Sequence, residues 1–377
     1  MSGDRVEAIT PADAALREDA WRDLCARALE PNVFAEPAFL VPALRHLAGS
    51  LRLRVLLVWR GQTDRLIGAL ALETPRAPPG MRVARVWRSE QAGLGALALD
   101  RDEAAPALEA VLDWLGRERP GTIGLLVPGL DPVGPTAAAI LALARRRNLG
   151  CRAFGRIERA ALPGADTPAR GFEASLPKKR VKEWRRQLRR LAERGAVAFR
   201  IADDAAAIED FLALEARGWK GARRTALGID PGRAAFARAM LGAMARDGRL
   251  AVHLMTLEGA AIAAGIALRA GDRAFYWKTA FDESLAAFSP GVQLTLTLSR
   301  AQLRDATIAS TDSCAIEGHP MIDRLWPGRL TLDDLVVATR PGRAAGLSLW
   351  LVGERTRRRF RDFAKRLINL LGGRKRS

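Results

Sequence analysis

The amino-acid sequence predicts a mixed α/β protein, of the α+β kind, made of two similar units in tandem. Helical patterns alternate with apolar runs of strand length along the whole chain. Both halves repeat one order of elements: helices, a meander of strands, a helix, a strand and a terminal strand. A segment rich in proline and glycine, "LPGADTPARG" at 162–171, separates them. We therefore expect an N-terminal unit at 1–165, a C-terminal unit at 166–340 and a tail at 341–377.

In the first half, the apolar runs at 51–59 and 65–72 are joined by "GQTD", which is typical of a β-hairpin. The other predicted elements of this half are a helix at 13–29, a strand at 82–88, a helix at 104–117, a strand at 122–127, a helix at 134–150 and a strand at 151–162.

The second half begins with a strongly basic amphipathic helix at 178–194. Three consecutive strands are predicted at 250–257, 261–269 and 273–281, separated by short turns that contain glycine. The remaining predicted elements are a strand at 196–202, helices at 204–217 and 233–246, and strands at 307–313 and 330–338.

The segment after "FSPG" has two interpretations. Leucine and threonine alternate over 294–298, which favours a strand. Ser289 and Pro290 instead suit the start of a helix, because a serine hydroxyl can cap a free amide and proline fits the first helical position. On a helix, the amides of Gly291, Val292 and Gln293 would be open to an anion such as phosphate. A capped helix that binds nothing is the alternative.

The positive charge is concentrated in two segments of the chain. The net charge is +18, and residues 178–194 contain nine basic and two acidic side chains, while residues 343–377 contain eleven and two. The rest is nearly neutral, so the protein is not predicted to coat nucleic acid. The tail places Phe360, Phe363, Ala364, Leu367 and Leu371 on one helical face among arginines and lysines. This pattern predicts a helix on an anionic membrane surface, or one docked on its own domain.

The cysteines and the N-terminus bear on the compartment. The three cysteines lie more than 100 residues apart, which is neither a disulfide framework nor a zinc spacing. No metal site is predicted. The N-terminus resembles no signal peptide, and no apolar run of membrane-spanning length occurs. We expect a cytoplasmic protein, with possible peripheral attachment to the inner face of the membrane; the oligomeric state is open.

Three motifs of the second half carry a family resemblance. "GWKG" (218–221), "YWKTAFDES…FSPG" (276–291) and "DSCAIEGHPMIDRLWPGR" (312–329) resemble GNAT-superfamily acetyltransferases of the BioF2-like or CelD-like, cellulose-biosynthesis-associated family. These are related to Fem-type transferases, which contain two GNAT units. The resemblance implies two tandem GNAT-like acyltransferase units and acetyl-CoA, or another acyl-CoA, as co-substrate. "FSPGVQL" is the counterpart of the phosphate-binding loop.

The resemblance implies roles for particular residues. CoA would be bound by Ser289, Pro290, Gly291, Val292 and Gln293, with Lys278 meeting a phosphate or an acidic substrate. Lys278 could equally be the outward residue of an alternating strand.

Acyl transfer requires deprotonation of the acceptor, stabilisation of an oxyanion and reprotonation of the leaving thiolate. The candidate carboxylates are Asp282, Glu283 and Asp312, and Tyr276 could protonate the thiolate. Each carboxylate could instead cap a turn, and the tyrosine could be a packing residue.

Four loop residues are candidates for binding the acceptor, because loops commonly carry binding residues. They are Trp219, Lys220, Arg324 and Trp326. Alternatively, these side chains anchor the loops by packing against the rest of the protein. Cys314 and His319 have no recognised spacing for a thiol nucleophile, so a thiol mechanism is not favoured.

The sequence thus predicts an acyl-CoA-dependent N- or O-acyltransferase that acts by direct transfer on an envelope polysaccharide, a saccharide precursor or a related amine or hydroxyl acceptor. One alternative is a Fem-like transferase using aminoacyl-tRNA, with the basic helix binding RNA. The other is a non-enzymatic accessory protein at the membrane surface.

Overall fold

The computed structural model describes residues 3–78, 81–164, 172 and 174–373. It confirms the mixed α/β fold. In this part of the chain thirteen strands form one sheet. They are β1 (Arg5–Ile9), β2 (Leu53–Trp59), β3 (Leu66–Glu73), β4 (Arg82–Val86), β5 (Leu97–Leu99), β6 (Thr122–Leu130), β7 (Cys151–Pro163), β8 (Val197–Ala202), β9 (Leu250–Leu257), β10 (Ala260–Ala270), β11 (Arg273–Phe281), β12 (Ser310–Asp312) and β13 (Gly328–Ala338).

Helices flank the sheet, and their bounds follow the sequence prediction closely. They are α1 (Glu18–Ala26), α2 (Pro37–His46), α3 (Ala104–Glu118), α4 (Pro135–Arg146), α5 (Lys178–Ala192), α6 (Ala205–Arg217), α7 (Trp219–Ala222), α8 (Pro231–Arg246), α9 (Pro290–Arg304), α10 (Ile322–Leu325) and α11 (Ala344–Gly373). The segment 290–304 is a helix, so its leucine–threonine alternation was a misleading strand signal. Helix α2 was not predicted, because Pro42 interrupts its pattern.

The two halves share one pattern of strand pairing. In the first, β1, β2, β3 and β4 are antiparallel neighbours, β4 is parallel to β6, and β6 is antiparallel to β13. In the second, β8 to β11 are antiparallel neighbours, β11 is parallel to β12, and β12 is antiparallel to β7. Each unit therefore takes its last strand from the other half of the sequence.

The exchanged strands β7 and β13 also pair with each other, which joins the two sheets into one. The unit boundary near residue 165 remains a prediction. Strand β7, which precedes it, pairs with β12 of the second unit, and β13, which follows it, pairs with β6 of the first. Strand exchange depends on long-range pairing, which local periodicity does not report.

An aromatic cluster beside β11 packs the two halves of the chain together. The rings of Phe39 and Phe236 lie 5.4 Å apart, and the ring of Trp277 lies 6.3 and 6.2 Å from them, all edge-to-face. The indole Nε1 of Trp277 donates a hydrogen bond of 2.8 Å to the carbonyl of Gln91 in the first half. These contacts hold Trp277, and hence the adjacent part of β11, in one position.

Candidate active site

A cavity lies where the two parallel strands of the second unit separate. Strands β11 and β12 pair over only three residues, ending with Phe275 opposite Asp312. Beyond this pair the strands diverge, and a cavity of about 420 Å³ lies between 276–281 of β11 and the loop that follows β12. A volume of this size accommodates a small molecule or part of a larger one.

The helix α9 begins beside this cavity, but its first turn differs from the prediction. Ser289 is left-handed, with φ of 51°, and its hydroxyl makes no capping bond. A capping serine normally has an extended backbone, whereas here a 3-10 turn runs directly into the helix. The amides of Val292 and Gln293 donate to the Ser289 carbonyl at 3.0 and 3.1 Å. The prediction that these two amides are open was wrong.

Of the six residues predicted to bind the cofactor, Lys278 lines the cavity, whereas Ser289, Pro290, Gly291, Val292 and Gln293 do not. Pro290 and Gly291 are buried, and a Cβ on Gly291 would lie 3.2 Å from the Phe281 ring and 3.8 Å from the Met321 sulfur, both of which line the cavity. The Gln293 side chain donates to the carbonyl of Trp184 in α5 at 2.7 Å. The start of α9 therefore forms one edge of the site.

Lys278 lines the cavity and is electrostatically distinctive. Its ammonium lies 5.1 Å from the centre of the Trp277 ring and makes no hydrogen bond or ion pair with any residue that the structure describes. Burial lowers the pKa of Lys278 to about 8; Glu215 opposes this shift and Lys220 adds to it. A cation with no bonded partner in a cavity is available to a substrate.

The candidate substrate-binding residues Lys220 and Trp219 and the candidate carboxylate Glu283 also line the cavity. The Lys220 ammonium is 2.9 Å from the buried carboxylate of Glu215, whose other oxygen accepts from the amide of Leu227 at 2.8 Å. The Trp219 amide donates to Glu283 at 2.6 Å, and the Trp219 side chain is half exposed. Lys220 is thus held in an ion pair, while Trp219 and Glu283 form part of the cavity rim.

The other two candidate carboxylates do not line the cavity. Asp282 caps the 3-10 turn, where one of its oxygens accepts from the amide and hydroxyl of Ser284 at 2.9 and 2.6 Å. Asp312 is buried and forms an ion pair with Arg159 of β7, which is also buried. Of the three, only Glu283 is placed to contact a molecule in the cavity.

Tyr276 lines the cavity, but its proton is engaged elsewhere. Its hydroxyl is 3.2 Å from that of Thr295, which itself donates to the Gly291 carbonyl at 2.7 Å. The tyrosine is therefore the donor of this pair. Burial raises the pKa of Tyr276 further above its ordinary value. The arrangement is that of a packed, hydrogen-bonded side chain.

Trp326 and Arg324 do not line the cavity. Trp326 is completely buried, and its Nε1 donates to the hydroxyl of Ser299 in α9 at 2.8 Å. Arg324 is exposed on the short helix α10. A long aromatic and basic loop indicated a binding surface, whereas its tryptophan is a core residue.

Cys314 and His319 do line the cavity. Burial raises the pKa of the Cys314 thiol well above its usual value, which disfavours a thiolate nucleophile. The His319 Nδ1 accepts from the amides of Met321 and Ile322 at 3.3 and 3.4 Å, and burial lowers the pKa of His319. Its neutral ring therefore carries hydrogen on Nε2.

Sequence reasoning missed Glu215, whose burial shapes the site. It is a lone acid on the apolar face of a helix, in "FLALEAR", and this was the available signal.

Two further features of the described residues bear on function. No helix there has both the length and the apolar character needed to cross a bilayer. Within the same residues, no group of three or more His, Cys, Asp or Glu side chains could hold a metal ion.

Comparison with known proteins agrees with this architecture. Residues 178–312, a little over a third of the chain, match the model of the acetyltransferase (GNAT) domain. This region contains α5 to α9 and the whole of the cavity-lining strand β11, so the similarity to the acetyltransferase domain lies in the half of the chain that contains the cavity. No curated protein matches the chain in sequence.

Several solved structures have the same fold. The crystal structure of FemX is 12% identical, covers 88% of this chain and 96% of its own, and has a TM-score of 0.54. A conserved protein of unknown function from Bacteroides thetaiotaomicron is 12% identical, with 90% and 99% covered and a TM-score of 0.52. The C-terminal domain of a protein described as a lysylphosphatidylglycerol synthetase from Agrobacterium fabrum is 14% identical, with 89% and 95% covered and a TM-score of 0.50. At these identities the similarity is one of fold.

Proposed function

We propose that the second unit is an acyltransferase that moves an acyl group from an acyl-CoA, such as acetyl-CoA, directly to an amine or hydroxyl acceptor. The observation that carries the proposal is the separation of β11 and β12, which leaves the 420 Å³ cavity beside the start of α9. The match to the acetyltransferase domain over 178–312 supports the same reaction class.

The surroundings of α9 suit an anionic donor. Its first turn contains no acidic residue. The guanidinium groups of Arg190 and Arg194 lie 6.0 and 4.5 Å from the centre of the Phe288 ring, immediately before the helix begins. Positive charge and a helix N-terminus together favour phosphate groups. The residues that would contact the donor's phosphates are therefore Gly291 of α9 and these two arginines.

Lys278 is the residue that we expect to stabilise the transition state. With a pKa of about 8, its ammonium is mostly protonated at neutral pH. A fixed cation in a partly desolvated cavity stabilises negative charge that develops on an acyl carbonyl oxygen. The donor supplies the activated carbonyl when it is bound.

Glu283 is the residue that we expect to accept the acceptor's proton. It lies at the rim of the cavity, where one of its carboxylate oxygens accepts a hydrogen bond from the Trp219 amide. Beside it, the half-exposed indole of Trp219 offers an apolar surface for the acceptor, and the guanidinium of Arg223 lies 5.2 Å from the centre of that ring. A saccharide or saccharide precursor, which has both apolar and hydroxyl surfaces, suits this rim.

Binding of the donor tests the proposal directly. Calorimetric titration of the full chain with CoA and acetyl-CoA should show saturable binding, because the cavity and the adjacent positive charge are preformed. Ala315→Trp fills the cavity and should abolish binding, whereas Ala286→Trp, on the exposed 3-10 turn, should not. Absence of binding to the wild-type protein, or equal binding by both variants, would contradict the proposal.

A Fem-like transfer from aminoacyl-tRNA is the second candidate, and the exposed basic face of α5 favours it. This helix ends next to the 3-10 turn that leads into α9, so RNA bound along it would reach the cavity. Binding of tRNA that weakens steeply with salt, without any binding of CoA, would select this candidate.

A further inference from the structure

The C-terminal helix α11 contacts the first unit through only one of its faces. Leu347 and Leu351 are buried there, and the Trp350 ring packs edge-to-face on Phe154 with centroids 6.1 Å apart. One turn further along, Arg358 forms an ion pair of 2.7 Å with Asp334. This face accounts for the attachment of the helix to the domain.

The opposite face of α11 exposes large apolar side chains. The exposed fractions are 63% for Leu349, 62% for Val352, 70% for Phe360 and 64% for Phe363. At 100° per residue these four positions share one side of the helix, within a sector of about 80°. The sequence predicted two alternatives for the tail, and although α11 docks on the domain through its other face, Phe360 and Phe363 do not pack there. Such a stripe of exposed aromatic and aliphatic groups usually marks an interaction surface.

Arginines border this apolar face on both sides. Arg355 and Arg359 lie along one margin and Arg357 and Arg361 along the other, and all four are exposed. Arg357 pairs with Glu354 at 2.8 Å. In sequence, Leu367 and Leu371 continue the apolar face, and Arg366 continues the margin of Arg355 and Arg359. The side chains of these three residues lie outside the described part of the chain.

We propose that the outward face of α11 binds the surface of an anionic lipid bilayer. The aromatic side chains would enter the interface, and the bordering arginines would meet lipid phosphates. Charge selects this partner over a second copy of the chain, because two such faces in contact would oppose arginine to arginine on both margins. The proposal is independent of the chemistry in the cavity.

Vesicle flotation with the full chain tests the proposal. The wild-type protein should bind vesicles containing phosphatidylglycerol at least about tenfold more tightly than vesicles of phosphatidylcholine alone, and high salt should weaken the binding. Phe360→Ser with Phe363→Ser should reduce binding by about tenfold or more. Leu16→Ser with Val133→Ser is the matched control, since both side chains are exposed on other surfaces, and should leave binding unchanged.

Two outcomes would overturn the proposal. One is equal binding of the wild-type protein and the phenylalanine variant to anionic vesicles. The other is a wild-type dimer in sedimentation that the phenylalanine variant abolishes, without vesicle binding by either, since the face would then be an interface between copies. Circular dichroism and thermal melting establish that the exposed substitutions leave the fold intact.

Discussion

The two units have the same strand pairing, yet the parallel strands of the second border an open cavity, whereas among the described residues of the first a loop lies between them. The last β4–β6 pair is Arg85 with Leu126, and the last β11–β12 pair is Phe275 with Asp312. Immediately after these pairs the chain has "VWRS" at 86–89 and "YWKT" at 276–279. By this register Arg88 is the counterpart of Lys278.

In the first unit the chain itself fills the corresponding gap. The amide of Gly95 donates to the Pro128 carbonyl at 3.1 Å, and the amide of Ala96 donates to the Trp87 carbonyl at 2.9 Å. The loop thus bridges the two separating strands. A Cβ on Gly95 would lie 3.0 Å from Pro128, so this close approach favours glycine.

The helix starts differ in charge as well. Before α3, Asp100 is buried and paired with Arg27 and Arg65, and Asp102 and Glu103 follow it directly. The first turns of both helices lack acidic residues, but the residue immediately before α3 is Glu103, whereas the residue immediately before α9 is Ser289. Carboxylates at a helix start satisfy the positive end that an anionic ligand would otherwise use. A shared architecture therefore does not make two equivalent sites, and our proposal places donor binding in the second unit.

The largest expected effect concerns β7, the strand of the first half that pairs with β12 of the second unit. Arg159→Met should destabilise the protein by about 3–5 kcal/mol, because the buried carboxylate of Asp312 loses its partner. Arg238→Met is the control; it breaks the half-exposed pair with Glu209 and should change stability by less than about 1 kcal/mol. Urea unfolding measures both. Similar losses in the two variants would show that the exchanged strand is not held by this pair.

The next effect separates the two equivalent cations. Lys278→Met should lower the transfer rate by about 10²–10³-fold, since a preorganised charge near the reacting carbonyl is lost. Arg88→Met, its counterpart in the first unit, should leave the rate unchanged. Steady-state kinetics with acetyl-CoA checks both, and calorimetry verifies that CoA still binds. A comparable loss in both variants would mean that the first unit takes part in the reaction.

A smaller effect is the acid sensitivity of the second unit. His253 in β9 is buried, and burial lowers the pKa of its imidazole to about 4 from an ordinary value of 6.5. Between these values the unfolded chain binds the proton and the folded chain does not, so stability falls as pH falls. The loss from pH 7 to 5 is about 2 kcal/mol.

His253→Leu should remove this pH dependence. The unfolding free energy of the variant should therefore fall less between pH 7 and pH 5 than that of the wild-type protein. The test compares urea unfolding of the wild-type protein and the variant at both. An unchanged difference would place the acid sensitivity at other groups.

The smallest effect is the pH profile of the reaction. Burial gives Lys278 a pKa of about 8, and the proposed role requires the protonated form. The rate should therefore fall about tenfold per unit as pH rises beyond this value. Lys278→Arg keeps its charge and should move the decline to higher pH. A rate that instead increases through pH 8 to a plateau would identify Lys278 as a base.

Local sequence signals predicted most of the fold and part of the candidate site. The three strands before α9 and the helix itself were located because alternation, glycine turns and Pro290 are local features. Lys278, Trp219, Lys220 and Glu283, which the sequence named as candidate site residues, line one cavity, and their roles stay predictions. The roles predicted for Trp326 and for the Val292 amide failed, because burial and backbone direction depend on what packs against the loop.

The sequence by itself determined the order of elements, the positive charge of α5 and α11 and the amphipathic pattern of the tail, since each depends on neighbouring residues. Tertiary structure decided that β7 and β13 are exchanged, that the gap at Arg88 is filled and that the gap at Lys278 is open. These outcomes rest on contacts such as Gly95 with Pro128 and Arg159 with Asp312, whose partners are distant in the chain. Sequence periodicity cannot identify such partners. It indicates which residues lie on the same face of a helix or strand, but not which distant residues pack against that face.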